Sequence, residues 1–284
     1  MMVLASWKSA RQTLRFEGHD IAYWTDGDGP PLLLIHGFPT SSHDWTPIWQ
    51  ALTEKYRVIA CDLLGFGLSA KPSSGYSIHR QADLQEALLG ELGISHADLL
   101  VHDYGVSVGQ ELLARENEGG LSFSIGQMVF LNGGIFPGEH RPRPIQKLGA
   151  SPLGFLISLL TTRERFGKSF SEVFGPETQP TKQELDTYWS LICENSGNRI
   201  THKLLGYMKD REVHKERWVS ALGPNQARIG LINGALDPVS GEHVFEVWRR
   251  ELPDARAHLL PTIGHYPQVE AQEAVASKVL EWLG

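Results

Sequence analysis

The stretch Ala97-Asp98-Leu99-Leu100-Val101-His102-Asp103-Tyr104-Gly105-Val106-Ser107-Val108-Gly109-Gln110 decides the fold. Its apolar run Ala97–Val101 reads as a strand and ends at polar residues. Gln110-Glu111-Leu112-Leu113-Ala114 then continues as a helix. A strand that turns sharply into a helix exposes one side chain at the carboxyl edge of a sheet, and small neighbours relieve the crowding. Open α/β sheets hold their ligands at that edge.

The flanking sequence carries the same pattern. Leu32–His36, Arg57–Asp62 and Gly126–Asn132 are continuous apolar runs, as expected of strands buried on both faces. Thr13–Phe16 and Ile21–Trp24 read as two antiparallel strands around the turn Glu17-Gly18-His19-Asp20. Helical patterns lie between the later runs, such as Ser77–Gly93 with apolar positions every three and four residues. Strands alternating with helices indicate a mostly parallel sheet covered on both sides.

After Asn132-Gly133-Gly134 the pattern changes. From Phe136 to about Leu222 the chain reads as helical and irregular, with no clear buried strand. Arg228–Asn233 and Ala255–Leu260 resume the strand pattern, and Ala271–Leu283 closes as an amphipathic helix. An unstructured connection of that length is improbable. The expected organisation is an α/β core in residues 1–136 and 223–284, with eight strands, and a helical lid in 137–222 inserted after strand six.

Composition narrows the function. The chain has 284 residues and a net charge of -7, from 26 Lys and Arg against 33 Asp and Glu. That balance disfavours a nucleic-acid partner, which wants a basic stripe. Cys61 and Cys193 are the two cysteines and have no metal-ligand spacing, so reduced thiols in a cytoplasmic protein are expected. The opening segment Met1–Gln12 has too short an apolar run for a signal-peptide core. The greasy stretch Leu153–Leu160 is far short of the roughly 20 residues a membrane span needs, and burial in a core or pocket is expected of it.

Two residues compete for the exposed position of the turn. Gly105-Val106-Ser107-Val108-Gly109 matches the Gly-x-Ser-x-Gly pattern of serine hydrolases. The strand ends near Val101, however, so the turn falls at Asp103, and Ser107 lies inside the helix. Its glycines then read as close-packing sites. Asp103 is therefore favoured, with Ser107 and a plain helix N-cap role for Asp103 as the alternatives. An aspartate cannot usefully attack an ester or amide, because the resulting anhydride is too reactive. It can displace at sp³ carbon and form an alkyl ester that water then hydrolyses.

That cycle needs a base for water. His265, in Ile263-Gly264-His265-Tyr266-Pro267-Gln268 after the last strand, is the candidate. Asp237, in Asn233-Gly234-Ala235-Leu236-Asp237-Pro238, fits the acid that orients its imidazole. Asn132-Gly133-Gly134, after the preceding strand, offers no carboxylate for this role. In His36-Gly37-Phe38-Pro39, Gly37 frees the loop to aim backbone N–H groups. The amides of Phe38 and Tyr104 are the expected oxyanion hole, and His36 is expected to brace the loop. One such donor is typically worth about 3–4 kcal/mol in the transition state.

Together these residues resemble the α/β-hydrolase superfamily over nearly the whole chain, with Asp62-Leu63-Leu64-Gly65-Phe66-Gly67-Leu68-Ser69 as its loop after strand four. The His-Gly-x-Pro loop and the His102-Asp103-Tyr104-Gly105 turn are similar to the branch of epoxide hydrolases and haloalkane dehalogenases. The runs Asn132–Pro137 with His140-Arg141-Pro142, Val173–Pro176, Arg217–Leu222 and His265–Gln268 resemble the mesoderm-specific transcript group, which is described as epoxide-hydrolase-like. The resemblance implies two lid tyrosines that protonate an opening epoxide; Tyr207 matches the usual position better than Tyr188. It also implies, for a dehalogenase, a Trp after the nucleophile and often an Asn after strand three. This chain has Tyr104 and Phe38 there.

The expected activity is that of an epoxide hydrolase with an Asp nucleophile, needing no cofactor or metal. A small apolar organic substrate and water are the expected reactants, with Phe155, Trp189 and Trp218 as lid aromatics. A dehalogenase on the same triad, a Ser107 esterase and a non-catalytic binding protein remain as alternatives. His140, His202 and His214 read as surface or structural residues. A monomer or homodimer is expected.

Overall fold

A computed structural model of the chain describes residues 3–139, 141, 143, 148–151 and 154–284. Eight strands form one sheet: β1 (Gln12–Phe16), β2 (His19–Asp26), β3 (Pro31–Ile35), β4 (Arg57–Cys61), β5 (His96–Val101), β6 (Ser124–Phe130), β7 (Ile229–Gly234) and β8 (Arg256–Leu260). Their order is β1-β2-β4-β3-β5-β6-β7-β8. β1 pairs antiparallel with β2, and β2 antiparallel with β4, while every later pairing is parallel. The hairpin thus sits at one edge, and β3 and β5 lie side by side near the centre.

Alternate residues of the central strands face opposite ways. Leu33, Ile35, Ile59, Cys61, Leu99 and Val101 join one buried cluster. Leu32, Leu34, Val58, Ala60 and Leu100 join another. Both sets must be apolar because both faces are covered, which explains the unbroken apolar runs.

The helices that carry this argument are α1 (Ile78–Glu91), α2 (Tyr104–Asn117), α3 (Gly154–Leu160), α4 (Arg163–Ser171), α5 (Lys182–Cys193), α6 (Thr201–Leu204), α7 (Tyr207–Ser220), α8 (Pro267–Glu270) and α9 (Gln272–Leu283). α1 begins at Ser77, whose side chain caps it by accepting from the Arg80 N–H. Between β6 and β7 the described residues hold α3 to α7 and no strand. Among the described residues no helix is long and apolar enough to cross a membrane.

The stretch that ends in α3 corrects one expectation. Ile157, Ser158 and Leu160 line a cavity, as expected, but Phe155, Leu156 and Leu159 are exposed by 47%, 42% and 59%. Leu153 lies outside the described residues. The one polar side chain of this short helix, Ser158, is buried and the rest are apolar, so the sequence carries no phase to say which side is inward.

Candidate active site

β5 ends at Val101 and α2 starts at Tyr104, so the chain reverses within two residues. Asp103 takes up that reversal with φ 47 and ψ -103, a conformation costly for a residue with a Cβ. Backbone bonds hold it from both sides: its N–H donates to the Asn132 carbonyl at 2.8 Å, and its carbonyl accepts from Val106 N–H at 3.2 Å. Small neighbours are a physical requirement here. A Cβ on Gly105 would lie 2.2 Å from the Ile35 carbonyl oxygen, so α2 can start this close to β3 only with glycine.

The turn delivers the Asp103 carboxylate to the floor of a cavity of about 560 Å³. Oδ2 accepts the Phe38 backbone N–H at 2.8 Å. Oδ1 stands 3.7 Å from His265 Nε2, an ion-pair distance longer than a hydrogen bond. His265 Nδ1 donates to Asp237 Oδ2 at 2.7 Å. Three residues from the ends of β5, β7 and β8 therefore converge in a line. His36 braces the loop after β3: its Nδ1 donates to the Gly37 carbonyl at 2.9 Å, and its Nε2 accepts from Leu63 N–H at 3.0 Å. The Tyr104 backbone opens α2 beside the carboxylate, while its ring turns away and packs on Phe66 and Tyr207.

Charge is arranged along this line. Burial would lower the His265 pKa, but the Asp237 carboxylate overrides it and, with Asp103 and Glu270 adding to the pull, pushes it up to about 9. Burial would raise Asp237, yet the facing imidazole and its hydrogen bonds hold it well below the usual carboxylate range. Those bonds come from Asn132 Nδ2 at 3.0 Å, Ser240 Oγ at 2.6 Å and Val239 N–H at 2.7 Å. Asn132, which offers no carboxylate of its own, is thus a hydrogen-bond donor to the one after β7.

Two further residues fix the histidine. Burial lowers His102 to about 3, so its ring is neutral, and Nε2 donates to the His265 carbonyl at 2.8 Å. Glu270 on α8 accepts the N–H groups of Gly175, Gly264 and Tyr266 at 2.8, 2.9 and 2.9 Å. That clasp ties the His265 loop to the segment before α5. Neither role was visible in sequence. A lone His at a strand end and a Glu five residues after the base carry no distinguishing signal.

Ser107 lies within α2, fully buried, and its Oγ accepts from Arg211 Nε at 2.7 Å. It does not line the cavity. Tyr207 and Tyr188 are 1% and 2% exposed, and the hydroxyl of each is buried with no hydrogen-bond partner among the described residues. Neither contributes to the cavity wall. The Tyr207 ring lies 6.3 Å from Phe38 and 5.0 Å from Tyr104, on the Asp103 side. Tyr188 packs 4.9 Å from Phe170. Burial raises both phenols, so both stay protonated. Tyr266, next to the base, does line the cavity, and its hydroxyl donates to the Phe38 carbonyl at 3.3 Å.

The cavity wall corrects three expectations. Trp189 lines it, but Phe155 and Trp218 do not. Trp218 is buried instead with its Nε1 donating to Glu111 at 2.8 Å. His202 lines the cavity rather than the outer surface, with Nδ1 3.0 Å from Ser158 Oγ. His214 packs on His79 and Trp218, and His140 lies outside the described residues. Among the described residues no cluster of His, Cys, Asp and Glu is arranged to hold a metal ion.

A model of the alpha/beta hydrolase family matches residues 32–278. The chain belongs to that family. The chain is 41% identical over 283 residues to the mesoderm-specific transcript protein of Mus musculus, covering 94% of this chain and 84% of the relative. The putative hydrolase LipZ of Mycobacterium tuberculosis is 40% identical over 258 residues, covering 90% of this chain and 89% of that protein. The solved structure of epoxide hydrolase CorEH superposes with a TM-score of 0.79 at 20% identity, over 96% of this chain and 97% of that one. The eight-stranded, mostly parallel sheet is thus the α/β-hydrolase fold, and the membership supports a hydrolase.

Proposed function

We propose that this hydrolase works through an alkyl ester on Asp103 and converts an apolar epoxide to a diol. The observation that carries the reading is the Asp103 carboxylate itself. It sits at a strained turn on the cavity floor, with one oxygen on the Phe38 amide and the other facing His265 Nε2.

In the first half-reaction Asp103 Oδ1 attacks an epoxide carbon and the C–O bond of the ring breaks. Tyr207, with Tyr188, is the proposed proton donor to the departing alkoxide; neither hydroxyl lines the cavity in this structure, so side chains of the wall must shift to bring them to the substrate oxygen. A buried hydroxyl with no partner is costly unless a substrate oxygen completes it, and the Tyr188 phenol is in that state, while the Tyr207 phenol has the Arg211 guanidinium beside it. In the second half-reaction His265 Nε2 takes a proton from water. The water oxygen adds to the ester carbon, the negative charge rests on Oδ2 at the Phe38 and Tyr104 amides, and the bond from carbon to Oδ1 breaks to release the diol.

Alkylation also prepares the base. It removes the Asp103 negative charge, one of the charges that hold His265 protonated, so the imidazole pKa falls from about 9 when the base is needed. The helical segment in 137–222 acts as a lid whose residues Ile157, Leu160, Phe166 and Trp189 give the cavity its apolar wall. The protein works as a monomer or homodimer in the cytoplasm.

Three side chains favour this reading over the neighbouring chemistries. Tyr104, in the place of a halide-binding Trp, turns its ring out of the cavity wall, and Phe38 presents a ring without a donor. Ser107 Oγ is held by Arg211, and Ser107 does not line the cavity that His265 lines. The test is His265→Gln incubated with an aryl epoxide and examined by intact-protein and peptide mass. Retention of the whole epoxide mass on Asp103 supports the reading; an unmodified Asp103 with diol still forming rejects it.

A further inference from the structure

Arg211 enters the molecule from α7 and is 3% exposed. Its Nε donates to Ser107 Oγ at 2.7 Å, and its Nη2 donates to the Asp103 carbonyl oxygen at 3.0 Å. The guanidinium carbon lies 4.5 Å from the centre of the Tyr207 ring. Nη1 is buried with no hydrogen-bond partner among the described residues, and no ion pair with a carboxylate is formed there. Burying a guanidinium without a carboxylate is expensive, several kcal/mol before compensation. An apolar side chain of the same volume would pack α7 on α2 at less cost.

What the cation does there is visible from its partners. The Asp103 conformation costs of order 1–3 kcal/mol and persists only where the surroundings over-determine it. Asn132 holds the N–H side of that residue. The carbonyl side is held by Val106 N–H, from the same turn, and by Arg211, the contact that comes from a different element. The same planar group lies over the ring of Tyr207, one helical turn before it on α7. A guanidinium can do both at once because it donates in its plane and stacks through its face.

We propose that Arg211 is a positioning residue that clamps the turn holding Asp103 and sets Tyr207 in register with it, so that one side chain fixes nucleophile and proton donor relative to each other. This rests on the assignment of those two roles. It explains why an unpaired buried cation is kept. It also explains why Ser107 carries a hydroxyl, since its oxygen accepts the third prong.

The test compares Arg211→Met, Arg211→Lys and, as a control on the exposed face of the same helix, Val213→Ala. Two readouts are taken: the rate of Asp103 alkylation by styrene oxide, followed by rapid-quench mass analysis with kcat and KM, and amide hydrogen exchange across residues 103–107. Arg211→Met should slow alkylation about 100-fold, the usual cost of misplacing a reacting group by about 1 Å. The substrate dissociation constant, read from the concentration dependence of the alkylation rate, should stay unchanged, because Arg211 does not line the cavity. Arg211→Lys keeps the charge and one donor nitrogen but not the planar fork, and should recover part of the rate. Exchange at residues 103–107 should rise in Arg211→Met and stay as in the parent for Val213→Ala. Alkylation and exchange at parental levels in Arg211→Met would overturn the proposal, since a side chain that only fills space would leave both unmoved in the folded protein. If Arg211→Met does not fold, Arg211→Lys decides: slower alkylation at a constant substrate dissociation constant supports the clamp and a parental rate refutes it. If the parent enzyme forms no adduct on Asp103, it is the nucleophile assignment that fails, and the exchange comparison still decides whether Arg211 holds the turn.

Discussion

Asp237→Asn is the substitution whose effect the structure sets most completely. The Asp237 carboxylate accepts four hydrogen bonds, from His265 Nδ1, Asn132 Nδ2, Ser240 Oγ and Val239 N–H. An amide has one acceptor atom, so its NH₂ must face donors. If that NH₂ faces His265, the imidazole proton moves to Nε2 and the ring can no longer accept a proton from water. Two magnitudes follow. Against the opposing effect of burial, the His265 pKa is raised from 6.5 to about 9 chiefly by Asp237, with Asp103 and Glu270 adding; that net shift is about 3 kcal/mol of imidazolium stabilisation and sets the order of the effect at roughly 300-fold in rate. Loss of the right tautomer as well costs roughly 10⁴. The first half-reaction uses no base, so Asp103 should still be alkylated. Rapid-quench mass analysis with an aryl epoxide should therefore show ester accumulating while hydrolysis slows by about 300-fold to 10⁴-fold. NMR titration should move the imidazole pKa from about 9 to 6.5 or below. An Asp237→Asn enzyme that turns over within about tenfold of the parent and accumulates no ester would refute the reasoning, because so small a loss is less than half the stabilisation worked out above.

Three other outcomes follow from the same geometry. Asp103→Gly should abolish turnover yet raise stability by about 1 kcal/mol, because glycine adopts φ 47 without a Cβ penalty; urea unfolding measures it, and a loss of stability would contradict the strain. Ser107→Ala should leave Asp103 alkylation intact, and a phosphonate probe should not label Ser107, since its Oγ is buried on Arg211. The raised His265 pKa gives a stability term that is fully present below pH 6.5 and is lost as pH rises through about 9, worth about 3 kcal/mol. Urea unfolding at pH 6.5 and above 9 should show that fall in the parent and not in His265→Gln.

The fold was legible because burial on both faces leaves a mark in sequence. Leu32–Ile35 and Leu99–Val101 must be apolar at every position, and the hairpin Gln12–Asp26 turns at glycine. The turn at Asp103 was legible from where the apolar run ends, which placed Ser107 too far along the helix to be exposed. Arg211 was not legible. It sits in Lys209-Asp210-Arg211-Glu212, where nothing local separates a buried cation from its solvated neighbours. Asn132 was read only for the carboxylate it lacks, although an amide donor to a distant aspartate is a tertiary fact. The cavity wall failed for the same reason. Phe155, Trp189 and Trp218 look alike in sequence, and only the packing of the segment after β6 sends Trp189 to the cavity, Phe155 to solvent and Trp218 to Glu111.

The account stands or falls on which atom bonds to the substrate. One turnover with excess enzyme in ¹⁸O-labelled water, followed by peptide mass analysis, reads it directly. Attack by Asp103 predicts one heavy oxygen in the Asp103 carboxylate and an unlabelled diol. Label in the diol with none in Asp103 would mean that water reaches the substrate without an enzyme ester, and would contradict it.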